Sequence, residues 1–225
     1  MADFDPGTGL GPRLRLVRAD RQLSVRELAR RVGCSASLIS QIERGVSVPS
    51  VGVLYSLATE LGSSLDYLLF GSGAGPGAGR ESDAGVGSSP ASAVAAGSER
   101  AAGGTASPPP PIVQRRSGRK IIDLASGVRW ERLTPAADAT ADFLEVIYAP
   151  GAHSTDERRP LRHDGREYGV IISGTLQANV GFESYELGPG DSIAFDSSTP
   201  HEYLNKTGDF VHAIWVVVHT EPGRA

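Results

Sequence analysis

The middle of this 225-residue chain divides it into two parts of different character. Residues 71–111 are almost entirely Gly, Ala, Ser and Pro, and the segment ends in four consecutive prolines. Such a composition offers too little apolar side chain to offset the conformational entropy lost on folding. We therefore predict a flexible linker over residues 71–111 that stiffens into polyproline geometry at its end. The flanking parts, residues 1–70 and 112–225, are each long enough for one small domain.

The first part contains two short amphipathic segments joined by a tight turn. Ser24 and Glu27 have the spacing of a capping box, in which the two residues satisfy backbone N–H groups at a helix start. Gly33 suits the left-handed conformation that ends a helix, and Ser35 is a second helix-capping residue. Apolar residues then recur at helical spacing in the second segment: Leu38, Ile39 and Ile42. The sequence thus predicts two consecutive helices that end at Gly45.

The outward side of the second predicted helix is made of small or hydrogen-bonding side chains with one basic residue at its end. These residues are Ala36, Ser37, Ser40, Gln41 and Arg44. A helix that lies against base edges in the major groove of DNA needs such a composition. Spacing alone also permits an ordinary helical hairpin within another kind of helical domain.

The distribution of charge favours DNA binding by this part of the chain. The formal net charge of the whole chain is -4. Residues 10–50 nevertheless hold eight Arg against three acidic residues, whereas residues 112–225 hold twelve basic against sixteen acidic residues. A basic surface supplies the sequence-independent part of the affinity for DNA.

Three runs within residues 10–70 resemble the phage-repressor-type (Xre/Cro family) regulators: LSVRELARRVGCS, SLISQIERG and VPSVGVLYSLATELGSSLDYLLFG. This resemblance implies a five-helix, lambda-repressor-like domain that binds double-stranded operator DNA. It also implies a set of DNA-contacting residues at the two helix starts, along the second helix and in the loop after it. These residues are Val25, Arg26, Ser35, Ala36, Ser37, Ser40, Gln41, Arg44 and Ser47.

The second part of the chain changes to the alternation of apolar and polar residues that is typical of β-strands. Many short strands separated by Gly, Pro and Asn turns predict an antiparallel β-barrel of the jelly-roll type. The whole chain is then an α+β multidomain protein. Nine strands are predicted, over residues 119–124, 128–133, 143–148, 167–172, 175–180, 184–187, 192–196, 201–204 and 210–219.

Two motifs within residues 140–218 resemble those of the cupin family. The first is His163-Asp164-Gly165-Arg166-Glu167 with Gly174 seven residues later, and the second is Gly188-Pro189-Gly190-Asp191 followed by Pro200-His201 and Asn205. The resemblance implies that His163, Glu167 and His201 match three of the four metal ligands of the family. The remaining ligand, the family's first His, falls at Leu161, which cannot bind a metal.

Two interpretations of this predicted pocket stay open. Two imidazoles and one carboxylate can hold a divalent transition metal and leave coordination positions free for a further ligand. Alternatively the pocket contains no metal, and polar side chains bind a small-molecule effector by hydrogen bonds. The effector-binding residues are then His163, Glu167, His201 and Tyr203.

A helix-turn-helix domain, a linker and a C-terminal cupin domain together resemble a known layout of transcriptional regulators. We therefore expect a cytoplasmic, homodimeric regulator that binds DNA, senses a small molecule in its cupin domain and has no catalytic residues. The alternative is a metal-dependent cupin enzyme, an oxygenase or isomerase, fused to a DNA-binding module. No run of about 18 apolar residues occurs, so we expect no membrane association through a transmembrane helix.

Overall fold

A computed structural model describes residues 9–71, 111–138, 140–155 and 160–219. Residues 72–110, which contain nearly all of the predicted linker, lie outside the described residues. Residues 9–71, the helical domain, form the five predicted helices: α1 (Leu10–Asp20), α2 (Val25–Val32), α3 (Ala36–Glu43), α4 (Val51–Leu61) and α5 (Leu65–Phe70). No helix in these described ranges is long and apolar enough to cross a membrane.

Local chemistry fixes where most of these helices begin and end. At four helix starts a serine hydroxyl accepts the backbone N–H three residues ahead: Ser24, Ser35, Ser50 and Ser64. Gly33 and Gly62 follow α2 and α4 in the left-handed conformation, with φ angles of 77° and 54°. Both devices act within one helical turn, which is why the spacing of Ser and Gly predicts the helix ends.

The helical domain is built around one apolar core that fixes the position of α3. Ile39 and Ile42 of α3 are fully buried in this core. The helix α1 approaches α3 closely at Gly11, where an added Cβ would lie 2.5 Å from the carbonyl oxygen of Ile42. Arg18 of α1 pairs with Glu43 at the end of α3, with Nε and Oε1 2.5 Å apart. These contacts hold one side of α3 in the core. The side chains on its other side are partly or fully exposed.

Residues 111–219, the β-domain, contain the nine predicted strands. The largest sheet has the order β1-β2-β3-β9-β4-β7, the second has the order β6-β5-β8, and all pairs are antiparallel. Two sheets of this kind confirm the predicted α+β class with a C-terminal antiparallel jelly-roll-type domain. The strands are β1 (Ile121–Asp123), β2 (Val128–Arg132), β3 (Ala141–Tyr148), β4 (Arg166–Ser173), β5 (Leu176–Val180), β6 (Glu183–Leu187), β7 (Ser192–Asp196), β8 (His201–Leu204) and β9 (Val211–Val218).

Alternation along the strands directs one set of side chains into the β-domain. Glu167, Gly169 and Ile171 of β4 are buried, as are His201 and Tyr203 of β8. Gly169 lies opposite Trp215 of β9, and an added Cβ on Gly169 would be 2.5 Å from the indole ring. A glycine at this position of β4 therefore makes room for a large aromatic side chain in the interior.

The helical domain packs against the β-domain through α4 and α5. The backbone N–H of Gly52 in α4 donates to the carbonyl oxygen of Ser154 at 3.1 Å. Asp66 of α5 forms a buried ion pair with Arg132 of β2, with Oδ1 and Nη1 2.9 Å apart. Arg132 also lies over the ring of Phe70. The two domains, which the sequence predicts as separately folded parts, thus share a contact surface.

Candidate functional site

The outward side of α3, called here the α3 face, consists of Ala36, Ser37, Ser40, Gln41 and Arg44. All five side chains remain accessible to solvent, and Ser37 and Arg44 are the most exposed. Arg44 donates to the hydroxyl of Ser40 from Nη1 at 2.5 Å, so these two side chains are already oriented in the free protein. The α3 face therefore presents an ordered set of hydrogen-bonding groups on a helix whose back is packed in the core.

The four other residues predicted to contact DNA lie outside the α3 face. Val25 and Arg26 begin α2, and Ser47 follows α3. Ser35 caps α3, because its hydroxyl accepts the backbone N–H of Leu38 at 3.1 Å. All four are partly or fully exposed, and their contact with DNA stays a prediction.

The β-domain brings together three residues that are far apart in sequence. His163 precedes β4, Glu167 is its second residue, and His201 begins β8. They are 7%, 3% and 1% exposed. The Nε2 atoms of His163 and His201 lie 2.8 and 3.0 Å from Oε1 of Glu167. One ligand atom from each residue lies within 4.8 Å of the others, so the three can share one cation.

The hydrogen bonds of the two imidazoles indicate which ring nitrogen faces the cluster. Nδ1 of His163 lies 3.2 Å from the carbonyl oxygen of Asp164, and Nδ1 of His201 lies 2.8 Å from that of Thr199. A carbonyl oxygen only accepts, so each Nδ1 carries a proton and each Nε2 faces the carboxylate of Glu167. Neither Nε2 makes an aligned hydrogen bond with any described residue. At 2.8 and 3.0 Å from a carboxylate oxygen, each Nε2 needs a cation beside it, either its own proton or a metal ion shared by the three residues.

The second carboxylate oxygen of Glu167 is held by two buried donors. The hydroxyl of Tyr203 and the indole Nε1–H of Trp215 each donate to Oε2 at 2.6 Å. Burial alone would raise the pKa of the Glu167 carboxyl, but the two imidazoles beside it hold that pKa well below its usual range. Burial also raises the pKa of Tyr203 well above its ordinary value, so Tyr203 stays a neutral donor. The carboxylate is therefore ionised and fixed in orientation.

A small cavity adjoins this cluster and is almost filled by aromatic and aliphatic side chains. Its free volume is about 20 Å³, which is room for about one water molecule. Tyr148, Tyr203 and Trp215 of the β-domain line it together with Glu167. Tyr55 of α4 completes the wall from the helical domain.

Leu161 stands where the cupin resemblance places a further histidine ligand. Its backbone pairs with His201, and its side chain is buried. An added Cβ on Gly52 of α4 would lie 3.0 Å from a methyl carbon of Leu161. Leu161 also separates the small cavity from a wider groove of about 470 Å³ between α4, the α2–α3 turn and Pro160–Arg162. This position thus serves the contact between the domains.

Two residues of the site were not predicted from the sequence, namely Tyr55 and Trp215. Gly169 within β4 is a signal for Trp215, because a glycine in a strand often marks the close approach of a bulky neighbour. The helix α4 is apolar on more than one side, with Val51 and Tyr55 buried in addition to the core residues Leu54 and Leu57. Such a helix is expected to be covered on two sides.

Comparison with known proteins finds one matching family for the helical domain and another for the β-domain. The helix-turn-helix family HTH_3 matches residues 14–68, and the cupin domain family Cupin_2 matches residues 144–218. The chain is 28% identical over 75 residues to the HTH-type transcriptional regulator PuuR of Escherichia coli (strain K12). That alignment covers 33% of this chain and 39% of PuuR, so the chain spans about two fifths of the length of the curated relatives it matches.

One solved structure shares its fold with nearly the whole chain, and another is similar to part of it. An HTH_3 family transcriptional regulator from Vibrio cholerae aligns with 96% of this chain and 98% of its own, with a TM-score of 0.59 and 20% identity. The Cupin_2 domain of an XRE family transcriptional regulator from Enterobacter cloacae aligns with 42% of this chain and 99% of its own, with a TM-score of 0.37 and 26% identity. The two family models thus identify an Xre-type helix-turn-helix domain over residues 14–68 and a cupin domain over residues 144–218.

Proposed function

We propose that this protein is a sequence-specific, DNA-binding transcriptional regulator whose cupin domain binds a small-molecule effector. The observation that supports DNA reading is the α3 face, where hydrogen-bonding side chains are exposed on a helix anchored by Ile39 and Ile42. Gln41 can pair bidentately with adenine, and Arg44 can contact guanine or a phosphate. For this role we expect the protein in the cytoplasm.

We expect the regulator to bind DNA as a homodimer. One domain of this size contacts few bases, so such regulators use two half-sites whose centres lie about 34 Å apart. The edge strands of the two sheets supply places where β-domains can pair. Light scattering on the full chain should give the mass of two chains, and a monomer at the concentrations that saturate the operator would contradict the proposal.

The cluster of His163, Glu167 and His201 fits a divalent transition metal. Both imidazoles direct Nε2 at Glu167, and each is oriented by a hydrogen bond from Nδ1 to a backbone carbonyl. Tyr203 and Trp215 orient the carboxylate in the same way. A bound ion would supply a site for an oxygen or nitrogen donor of the effector. His163, Glu167 and His201 would supply three donors to that ion, which would leave coordination positions for the effector.

Base reading is tested with Gln41→Ala in a titration of operator and random DNA. The variant should lose about 1–3 kcal/mol of binding free energy on the operator and little on random DNA. Gln114→Ala, which changes a glutamine of the β-domain, is the matched control and should bind like the wild type. An equal loss on both DNAs would show that the α3 face is not the recognition surface.

Metal binding is tested by elemental analysis of the purified full chain. The wild type should carry a transition metal, and His201→Ala should lose it because the donor set falls to one imidazole and one carboxylate. His212→Ala is the matched control, since His212 pairs with Glu145 away from the cluster. Turnover of a substrate by the metal-loaded wild type would favour the alternative, a cupin oxygenase or isomerase that carries a DNA-binding module.

A further inference from the structure

The side chain of Tyr55 enters the cupin cavity from the DNA-binding domain. Its ring lies parallel to the imidazole of His163, with centroids 4.2 Å apart and an angle of 5° between the planes. The edge of Trp130 contacts it at a centroid distance of 5.8 Å. Tyr55 is only 8% exposed although it belongs to α4. One face of a proposed effector-binding residue is therefore covered by a flat ring from another domain.

The cavity has no room for an effector while Tyr55 is in place. Its free volume of about 20 Å³ is far below that of any aromatic or sugar-like ligand. Most of its wall is apolar or aromatic, Ser154 is a polar residue in it, and Glu167 is the one charged residue among those that line it. The Tyr55 ring is a part of the wall that comes from the other domain, and the volume that it fills lies between His163 and Trp130. That volume is flat and suits an uncharged aromatic ring.

Removal of the Tyr55 ring from this position disturbs the contact between the domains. The first turn of α4 is joined to the β-domain by the hydrogen bond from Gly52 to Ser154. The core residues Leu54 and Leu57 tie α4 to the rest of the helical domain. Since α4 is fixed to its own domain, a shift of α4 that withdraws the Tyr55 ring would move the helical domain away from the cupin domain.

We propose that Tyr55 acts as an internal ligand of the cupin pocket, and that the effector is a small, uncharged aromatic compound of about the size of a phenol. The effector ring replaces the Tyr55 ring on His163, and α4 leaves the cupin domain. This inference rests on the proposed function, because it names the effector class and the coupling for the same pocket. An effector that binds only the separated arrangement shifts the population of that arrangement, and with it the freedom of the α3 face to engage DNA.

The test measures phenol binding to the full chain by isothermal titration calorimetry. If the separated arrangement is about 1–10% of the wild type, removal of the Tyr55 ring should tighten phenol binding about 10- to 100-fold. Tyr55→Ala should show this gain. Tyr67→Ala is the matched control, since Tyr67 is a partly buried tyrosine of the same domain that does not line the cavity. The affinity for cyclohexanol, which has a puckered ring, should increase much less in Tyr55→Ala than the affinity for phenol does.

A second variant keeps the test independent of the folding of Tyr55→Ala. Asp66→Asn removes the charge from the ion pair with Arg132 and leaves the cavity wall intact. It should weaken the contact between the domains and tighten phenol binding in the same direction. Small-angle X-ray scattering should show that phenol increases the radius of gyration of the wild type, and that Asp66→Asn is larger than the wild type without phenol.

Two results would overturn the inference. One is phenol affinity that is the same in Tyr55→Ala and Asp66→Asn as in the wild type and Tyr67→Ala. The other is phenol binding without any change in the radius of gyration, which would mean that the Tyr55 ring moves aside while α4 stays in contact. Both measurements are made without DNA, so they fail separately from the operator titration that tests the proposed function.

Discussion

The α3 face and the His163–Glu167–His201 cluster place functional groups in opposite relation to the folded core. On α3, the apolar residues Ile39 and Ile42 hold the helix, and the polar residues on its other side make no contribution to the core. In the cupin domain, the polar cluster is itself part of the interior and contacts Tyr203 and Trp215. Function and stability are therefore separable in the helical domain and inseparable in the cupin domain.

The electrostatic environments of the two regions differ in the same way. Glu27 of α2 is an exposed carboxylate whose pKa is lowered to about 2, because Arg30 and Arg31 bond to it in water. Surface pairs of this kind contribute little to folding. Glu167 is buried, so its charge must be compensated by fixed partners inside the protein. The two regions thus predict different responses to the loss of a single polar side chain.

The largest effect is expected for Glu167→Ala. The change leaves the Tyr203 hydroxyl and the Trp215 N–H without their buried acceptor and removes the charge between the two imidazoles. We expect a loss of about 3–5 kcal/mol in the free energy of unfolding of the cupin domain. Both tryptophans of the chain, Trp130 and Trp215, lie in that domain, so urea unfolding followed by tryptophan fluorescence reports on it.

Glu183→Ala is the matched control for Glu167→Ala, since Glu183 is an exposed carboxylate on β6. The free energy of unfolding of Glu183→Ala should stay within about 0.5 kcal/mol of the wild-type value. Equal stability of the two variants would remove the contrast between the buried cluster and an exposed polar surface.

A smaller difference in stability is expected between alanine variants of two serines at the start of α3, Ser35 and Ser37. Ser35→Ala removes the hydroxyl that accepts the N–H of Leu38 and should cost about 1 kcal/mol in stability of the helical domain. Ser37→Ala changes the exposed α3 face. Its free energy of unfolding should stay within about 0.5 kcal/mol of the wild-type value. Far-ultraviolet circular dichroism during urea unfolding measures both. If Ser37→Ala were the more destabilising change, the α3 face would be part of the fold.

The smallest effect concerns His219, whose Nε2 lies 3.0 Å from Oδ2 of Asp142. Bonding to Asp142 raises the pKa of His219, with further contributions from Asp138 and Asp66. A raised pKa in the folded state means that this pair stabilises fully below about pH 6.5, and that the stabilisation is lost as the pH rises through the raised pKa. About a third of the side chain is exposed, so solvent screening limits the effect to below about 1 kcal/mol.

His219→Gln should flatten this part of the pH dependence. The measurement is urea unfolding of the wild type and the variant at about pH 6 and about pH 9. The wild type should lose more stability than the variant between the two values. An equal decline in both would show that the His219–Asp142 pair does not contribute.

Much of the fold could be predicted because its signals are local. Serine and glycine set the helix ends within a single turn, and strand alternation places Glu167 on one face of its strand and His201 and Tyr203 on one face of theirs. The resemblance to the cupin family implied that these faces are interior and that His163, Glu167 and His201 lie together. The sequence left open whether His163, Glu167 and His201 serve a metal or bind an effector directly, because either use depends on how the three side chains meet in space. The structure brings Nε2 of both imidazoles to Oε1 of Glu167, an arrangement that fits either use.

The amino-acid sequence by itself determined the two domain types, the exposed composition of the α3 face and the identity of the buried cluster. Only the tertiary structure decided that α4 contacts the cupin domain, that Tyr55 stacks on His163 and that Trp215 donates to Glu167. These contacts join residues 48 to 108 positions apart in the chain. Helix caps and strand alternation act between near neighbours and leave a pattern that can be read along the chain. Packing between distant segments depends on the shapes of both surfaces, so it has no comparable local signature.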